Sequence, residues 1–160
     1  MIVKFYDQVE DEKLKFAVIA ARAEGKWVFC KHKARTTFEM PGGHREPGEP
    51  ILDTARRELQ EETGITLEES DSIRLVNPLV FSTPGMTDES NALVQIILNR
   101  EEMPKVSQEG AVGTECFDGF LLLTKEEAQK ILKDGVDDQG FFYPLYTWAA
   151  LMCFATGMWK

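Results

Sequence analysis

The sequence predicts a domain of α/β or α+β class. Three observations carry this. Apolar, partly β-branched runs at Leu14–Ala23, Lys26–His32, Ile73–Phe81, Asn91–Asn99 and Cys116–Leu123 have strand character. A helical segment with its own start and stop lies between the second and third of these runs. Two more helical segments follow the last strand.

Taken in order, Leu14–Ala23 and Lys26–His32 are separated by Glu24-Gly25 and read as a hairpin. Pro41-Gly42-Gly43 is expected to turn, its missing β-carbons letting the backbone turn sharply or approach a ligand. Glu46-Pro47-Gly48-Glu49-Pro50 turns again and starts a helix, which Gly64 ends as a left-handed C′ residue. Ile73–Phe81 and Asn91–Asn99 form a second strand pair around residues 82–90, and Cys116–Leu123 is a further strand. Residues 101–115, rich in Glu and Gly, are expected to be a mobile loop. Thr124-Lys125-Glu126-Glu127 has the spacing of a capping box that opens a helix through Lys133, with Gly135 beyond it. The apolar stretch Tyr143–Met158 is shorter than a membrane span and reads as a packed C-terminal helix.

The helix after Pro50 carries the chemistry. Helical residues advance by about 100° each. With Glu58 at zero, Glu61 falls near −60° and Glu62 near +40°, while Leu52, Ala55 and Leu59 lie roughly between +60° and +120°. One arc is acidic and its neighbour apolar. Like charges at i,i+4 weaken a helix, and no run of basic residues shares the face, so a counter-ion is the economical explanation. Oxygen-only ligands select Mg²⁺ or Mn²⁺, with Ca²⁺ as an alternative. A merely solvated acidic face is the bland reading, and the set spacing between two glycine loops counts against it.

The whole chain bounds the function. Its 160 residues are expected to form a single domain, residues 1–160. A net charge of −9 argues against a surface for duplex nucleic acid, which requires Lys and Arg to displace counterions. An acidic protein still binds a small polyphosphate when metal ions stand between the two sets of negative charge. Cys30, Cys116 and Cys153 show no metal-binding or redox spacing and read as buried or incidental thiols of a reducing compartment. Met1–Asp7 has no signal-peptide organisation, so a cytoplasmic location without membrane attachment is expected.

Gly43, Glu49, Arg57, Glu58, Leu59, Glu61, Glu62, Gly64 and Ile65 occupy the fixed positions of G-x5-E-x7-R-E-U-x-E-E-x-G-U, with U aliphatic. This 23-residue segment resembles the signature of the Nudix (MutT-like) hydrolases, and Phe38–Gly43 resembles the aromatic-Glu-x-Pro-Gly-Gly entry common in them. The resemblance implies the Nudix fold, an α/β/α sandwich around a mixed sheet. It also implies Mg²⁺-dependent, or Mn²⁺-dependent, hydrolysis of a nucleoside diphosphate linked to another moiety. Carried over by position, Glu58, Glu61, Glu62 and the Gly43 carbonyl resemble metal ligands, and Glu58 or Glu61 a catalytic carboxylate. Arg57 and Glu49 resemble partners that orient the helix and its ligands; Arg57 also reads as a solvated i,i+4 partner of Glu61. Some relatives place the general base on a later loop. A small nucleoside diphosphate derivative is the implied partner, and a homodimer is left open.

Outside this segment, Arg35 and Arg45, with Lys31 and Lys33, are candidates to reach phosphates, and Glu109 and Glu115 are candidates for a late metal ligand or base. His44 reads as a polar loop residue. Thr83–Glu89, which contains Pro84, Met86 and Glu89, resembles the proline-glycine loop after the box in ADP-ribose pyrophosphatases; a plain turn between two strands is the alternative. An activity on dNTPs or oxidised dNTPs competes with one on ADP-ribose or nucleoside diphosphate sugars. From other classes come a nucleotide-sensing module without turnover and a Ca²⁺-binding structural protein. The last is disfavoured because the acidic oxygens lie on the helix rather than alternating along a loop.

Overall fold

The computed structural model describes residues 9–81, 90–102, 104–109, 116–140 and 143–158, with side chains omitted at 77–81. After a 3₁₀ turn at Asp11–Lys13 come β1 (Phe16–Ala23), β2 (Lys26–His32), β3 (Gly42–His44), α1 (Ile51–Thr63), β4 (Ser72–Phe81), β5 (Ser90–Leu98), β6 (Phe117–Leu123), α2 (Lys125–Asp134) and α3 (Leu145–Thr156). All five expected strands and three expected helices are present, shifted by a residue or two at their ends. The expectations for Met1–Asp7, Pro84, Met86, Glu89 and Glu115 fall outside the described residues.

The sheet is mixed, in the order β4-β5-β1-β2-β6, with β3 also paired to β1. β1 and β5 run parallel from Phe16↔Asn91 to Ala23↔Leu98, and the other pairings are antiparallel. The β1–β2 hairpin turns through Glu24 and Gly25, both at positive φ, the primed geometry that matches strand twist. It pairs at Arg22↔Trp27 and Ala23↔Lys26. Beyond that point residues 39–44 wedge between the two strands: Glu39 bridges Cys30 of β2, the amide of Ile19 donates to the carbonyl of Pro41, and β3 pairs with β1. The expected turn at Pro41-Gly42-Gly43 is therefore a strand segment inside the sheet.

Strand alternation divides the core into two layers. Ala17, Ile19, Ala21, Val28, Val94 and Ile96 pack beneath α1 through Ile51, Ala55 and Leu59. Val18, Ala20, Trp27 and Phe29 pack on the other side against Ala128 and Ile131 of α2 and Leu151 and Phe154 of α3. The result is the expected α/β/α sandwich. Leu59 is completely buried, worth roughly 1.5–3 kcal/mol relative to exposure. The Thr124 capping box forms in full, and Gly135 caps the far end of α2. At 12 residues α3 is short, and no helix among the described residues is long and apolar enough to cross a membrane.

The connection from α1 to β4 is fastened by a buried carboxylate. Asp71, with no exposed side-chain surface, accepts from the amides of Glu68 and Asn99 and pairs with Arg100, which also donates to the carbonyl of Thr66. Burial pushes the Asp71 carboxyl up, but the Arg100 guanidinium and the two amides outweigh it and hold it below the usual range. A depressed carboxylate contributes stability above its unfolded pKa that is lost as pH falls through the folded value. Asp71→Ala is expected to lower stability by about 1–3 kcal/mol at pH 7, because the amides of Glu68 and Asn99 lose their acceptor while Arg100 keeps only Glu68 and the Thr66 carbonyl. Urea unfolding checks this, and the penalty should shrink toward acid pH.

Candidate functional site

The site is assembled from β3 and α1. Alternation along β3 turns Gly43 toward α1, and the Glu58 carboxylate lies directly over it. A β-carbon at position 43 would stand 2.1–2.2 Å from the carboxyl atoms of Glu58. Glycine is required here by contact, not by backbone conformation. Glu62, one helical turn on, accepts from the amide of Gly42 at 3.1 Å and from the thiol of Cys30 at 3.5 Å, both through Oε2. Glu58 and Glu62 are buried, at 8% and 6% exposed, whereas the Glu61 side chain is 28% exposed.

Arg57 joins the parts. Its Nε and Nη2 grip both oxygens of Glu49 at 3.0 Å, Nη1 reaches Glu58 at 2.7 Å and Glu61 at 3.2 Å, and Nη2 donates to the carbonyl of His44 at 2.9 Å. Two expectations change. The acidic arc has a fixed counter-charge, because Arg57 on the same helix supplies what a run of basic residues does not. Arg57 itself is no solvated i,i+4 partner: its side chain is 25% exposed and it binds three carboxylates and a strand. Glu49 also accepts from the Thr54 hydroxyl and the Glu46 amide. Hydrogen bonding to Arg57 holds its carboxyl down at about 2, against the desolvation that raises it. The Arg57 guanidinium is held firmly charged, chiefly by Glu49.

The donor chemistry of Glu58, Glu61, Glu62 and Gly43 suits a hard divalent cation, being oxygen throughout, and the bare Cα of Gly43 is what lets the Glu58 carboxylate sit at the strand. Among the described residues no three Asp, Glu, His or Cys side chains are already drawn together as a metal cage. Glu58 and Glu61 lean on Arg57, and Glu62 on Gly42 and Cys30.

The other candidates disperse. Arg35 pairs with Glu39 at the surface. Arg45 spends its guanidinium on the carbonyls of Leu14, Glu46 and Glu49, bracing the turn before α1. Glu109 pairs with Lys105, both exposed. Lys31 pairs with Asp118 of β6. Sequence reasoning missed three contributors. Cys30 proves to touch Glu62, and burial together with that carboxylate's charge pushes its thiol well up, keeping it protonated as a donor. The carbonyl of His44 anchors Arg57, while its ring packs edge-on against Phe16 at 4.9 Å. The described part of the expected mobile loop is docked instead: Ser107 and Gln108 hydrogen-bond to the end of α1. Only Cys30 had any local signal, its place on an alternating strand, and that does not reveal what the strand faces.

The family model described as NUDIX domain matches residues 11–139. ADP-ribose pyrophosphatase of Bacillus subtilis (strain 168) is 33% identical over 121 residues, 73% of this chain and 61% of that protein. ADP-ribose pyrophosphatase of Saccharomyces cerevisiae is 31% identical over 144 residues, 88% of this chain and 54% of that protein. The chain thus spans between half and two thirds of the length of these relatives. Among solved structures, the Caenorhabditis elegans Ap4A hydrolase matches with a TM-score of 0.60 at 18% identity, covering 91% of this chain and 98% of that one, a likeness of fold.

Two outcomes follow from the geometry. Gly43→Ala is expected to push Glu58 off the strand while leaving α1 folded, at a cost of about 1–3 kcal/mol for the displaced buried carboxylate; circular dichroism and urea unfolding check both halves. Glu49, with its folded pKa at about 2 against an ordinary 4.5, contributes stability above pH ~4.5 that disappears as pH falls toward 2. The melting temperature of Glu49→Gln should therefore fall less steeply than wild type over that range.

Proposed function

This chain belongs to the Nudix family, and from that premise we propose that it is a Mg²⁺-dependent pyrophosphohydrolase of nucleoside diphosphates linked to another moiety. An ADP-ribose-like or nucleoside diphosphate sugar substrate is the leading choice, and dNTPs or oxidised dNTPs are the competing class. The single observation that carries the reading is the Glu58 carboxylate seated on Gly43, on the helix face it shares with Glu61 and Glu62 and held there by Arg57. The two ADP-ribose pyrophosphatase relatives support the substrate choice. In the same reading the whole chain acts as one domain, in the cytoplasm.

In this proposal Glu58, Glu61, Glu62 and the Gly43 carbonyl hold the cation. When bound, Mg²⁺, or Mn²⁺ in its place, neutralises the phosphates and lowers the pKa of an attacking water. The protein's own part is electrostatic and positional. A chain of net charge −9 repels a polyphosphate unless a cation intervenes. Arg57 keeps the ligand-bearing helix in register with β3, and Glu49 keeps Arg57 charged and aimed. One of the glutamates, Glu58 or Glu61, takes the proton from the water as it attacks, and the pyrophosphate bond breaks to a nucleoside monophosphate and the phosphorylated remainder.

A nucleotide-sensing module without turnover is the second reading. It draws on the engagement of Glu58 and Glu61 with Arg57, which supplies part of the counter-charge that an ion would otherwise provide.

The deciding experiment offers ADP-ribose, nucleoside diphosphate sugars, dinucleoside polyphosphates, dNTPs and oxidised dNTPs with Mg²⁺ and follows monophosphate release. Turnover is expected to vanish with excess EDTA and return with Mg²⁺ or Mn²⁺; full activity in EDTA would sink the metal mechanism. Glu62→Gln retains an acceptor for Gly42 and Cys30 but loses ligand charge, so kcat should drop by about a hundredfold or more with little change in metal-free melting temperature. Saturable nucleotide binding with no product from any substrate would establish the sensing module instead.

A further inference from the structure

The last turn of α1 carries charge of the wrong sign for its position. A helix leaves its final four carbonyls without intrahelical partners, and acidic residues near its C-terminus oppose the helix dipole. Here the final turn carries Glu61 and Glu62 and has no basic residue. The two carboxylates therefore sit on backbone that frays readily unless something outside the helix holds it.

That support comes from residues 107 and 108, distant in sequence. The amide of Ser107 donates to the carbonyl of Thr63 at 3.0 Å. Gln108 donates from Nε2 to the carbonyl of Glu61 at 3.2 Å, and its Oε1 accepts from the amide of Phe117, the first residue of β6, at 2.6 Å. The fit is close: a β-carbon on Gly64, already left-handed at φ 73°, would stand 2.2 Å from the carbonyl oxygen of Ser107. Gly64 itself caps Gln60. One carboxamide thus spans from the backbone of Glu61 to the edge strand of the sheet.

Resting on the cation-dependent reading above, we propose that Gln108 is a positioning residue of the cation site. By capping the carbonyl of Glu61 and anchoring that cap to β6, it sets the aim of the Glu61 and Glu62 carboxylates. Residues that orient metal ligands typically change affinity by 10–100-fold when removed.

The test titrates Mn²⁺ into metal-free protein, reading free Mn²⁺ by electron paramagnetic resonance, alongside amide hydrogen exchange at Gln60–Thr63 and Phe117. Gln108→Met preserves length but removes the hydrogen bonds to the Glu61 carbonyl and from the Phe117 amide. It is expected to raise the Mn²⁺ dissociation constant about tenfold and to speed exchange in the last turn of α1, while Lys105→Ala, at the exposed pair nearby, changes neither. Gln108→Glu keeps the acceptor for Phe117 and sets an oxygen against the Glu61 carbonyl. It should also weaken Mn²⁺ binding, although its added negative charge alone would strengthen it, and it decides the matter if Gln108→Met fails to fold. Wild-type binding with both variants within twofold of it, or tighter binding by Gln108→Glu, overturns this role and leaves the proposed function standing. A wild-type protein that binds no Mn²⁺ overturns both.

Discussion

The guanidinium of Arg57 is the interaction on which the rest of the site depends. Two unit charges 4 Å apart interact by about 4 kcal/mol at an effective dielectric constant of 20, so Glu49, Glu58 and Glu61 around an uncharged centre would separate. Arginine meets the requirement where lysine would not. Its planar fork grips Glu49 with two nitrogens while the remaining donors reach Glu58, Glu61 and the His44 carbonyl. Turn, helix and strand are joined through one side chain, and the same bonds that offset part of the negative charge fix the geometry.

Burial sharpens that dependence. Glu58 and Glu62 are largely withdrawn from water, and buried carboxylates persist only where donors replace the lost hydration. Arg57 serves Glu58, while a backbone amide and a thiol serve Glu62. The two glutamates are thus already desolvated and aimed, a stored cost of the kind that functional sites carry and stabilising substitutions tend to remove.

How much of this was legible depends on how local each cause is. α1 was readable from Pro50 to Gly64 because its start, periodicity and stop all lie within it, and the α2 capping box was readable from four residues. The acidic arc was legible for the same reason. β3 was not: three residues, two of them glycine, show no alternation, and they become a strand because Phe16–Val18 of β1 stand beside them as antiparallel partners. That Arg57 and Glu49 act together came only from the resemblance, and the plain sequence left an ordinary i,i+4 pair with Glu61 open, because Glu49 lies eight residues back across a turn. Residues 104–109 read as free because the carbonyls that Ser107 and Gln108 cap belong to a helix more than forty residues earlier.

The wedge of residues 39–44 between β1 and β2 bears on how the chain reaches this state. A hairpin zips from its turn, and nothing in Phe16–Ala23 or Lys26–His32 stops a free hairpin from pairing along its full length within microseconds. The native sheet keeps that pairing only at Arg22↔Trp27 and Ala23↔Lys26. Every further rung must open for the incoming segment, while β1 acquires its parallel partner from some seventy residues away. The quickest local structure is thus a competitor that must be partly undone. The strand that undoes it is the one bearing Gly43, so the sheet cannot be completed before the glycine that seats Glu58 is in place.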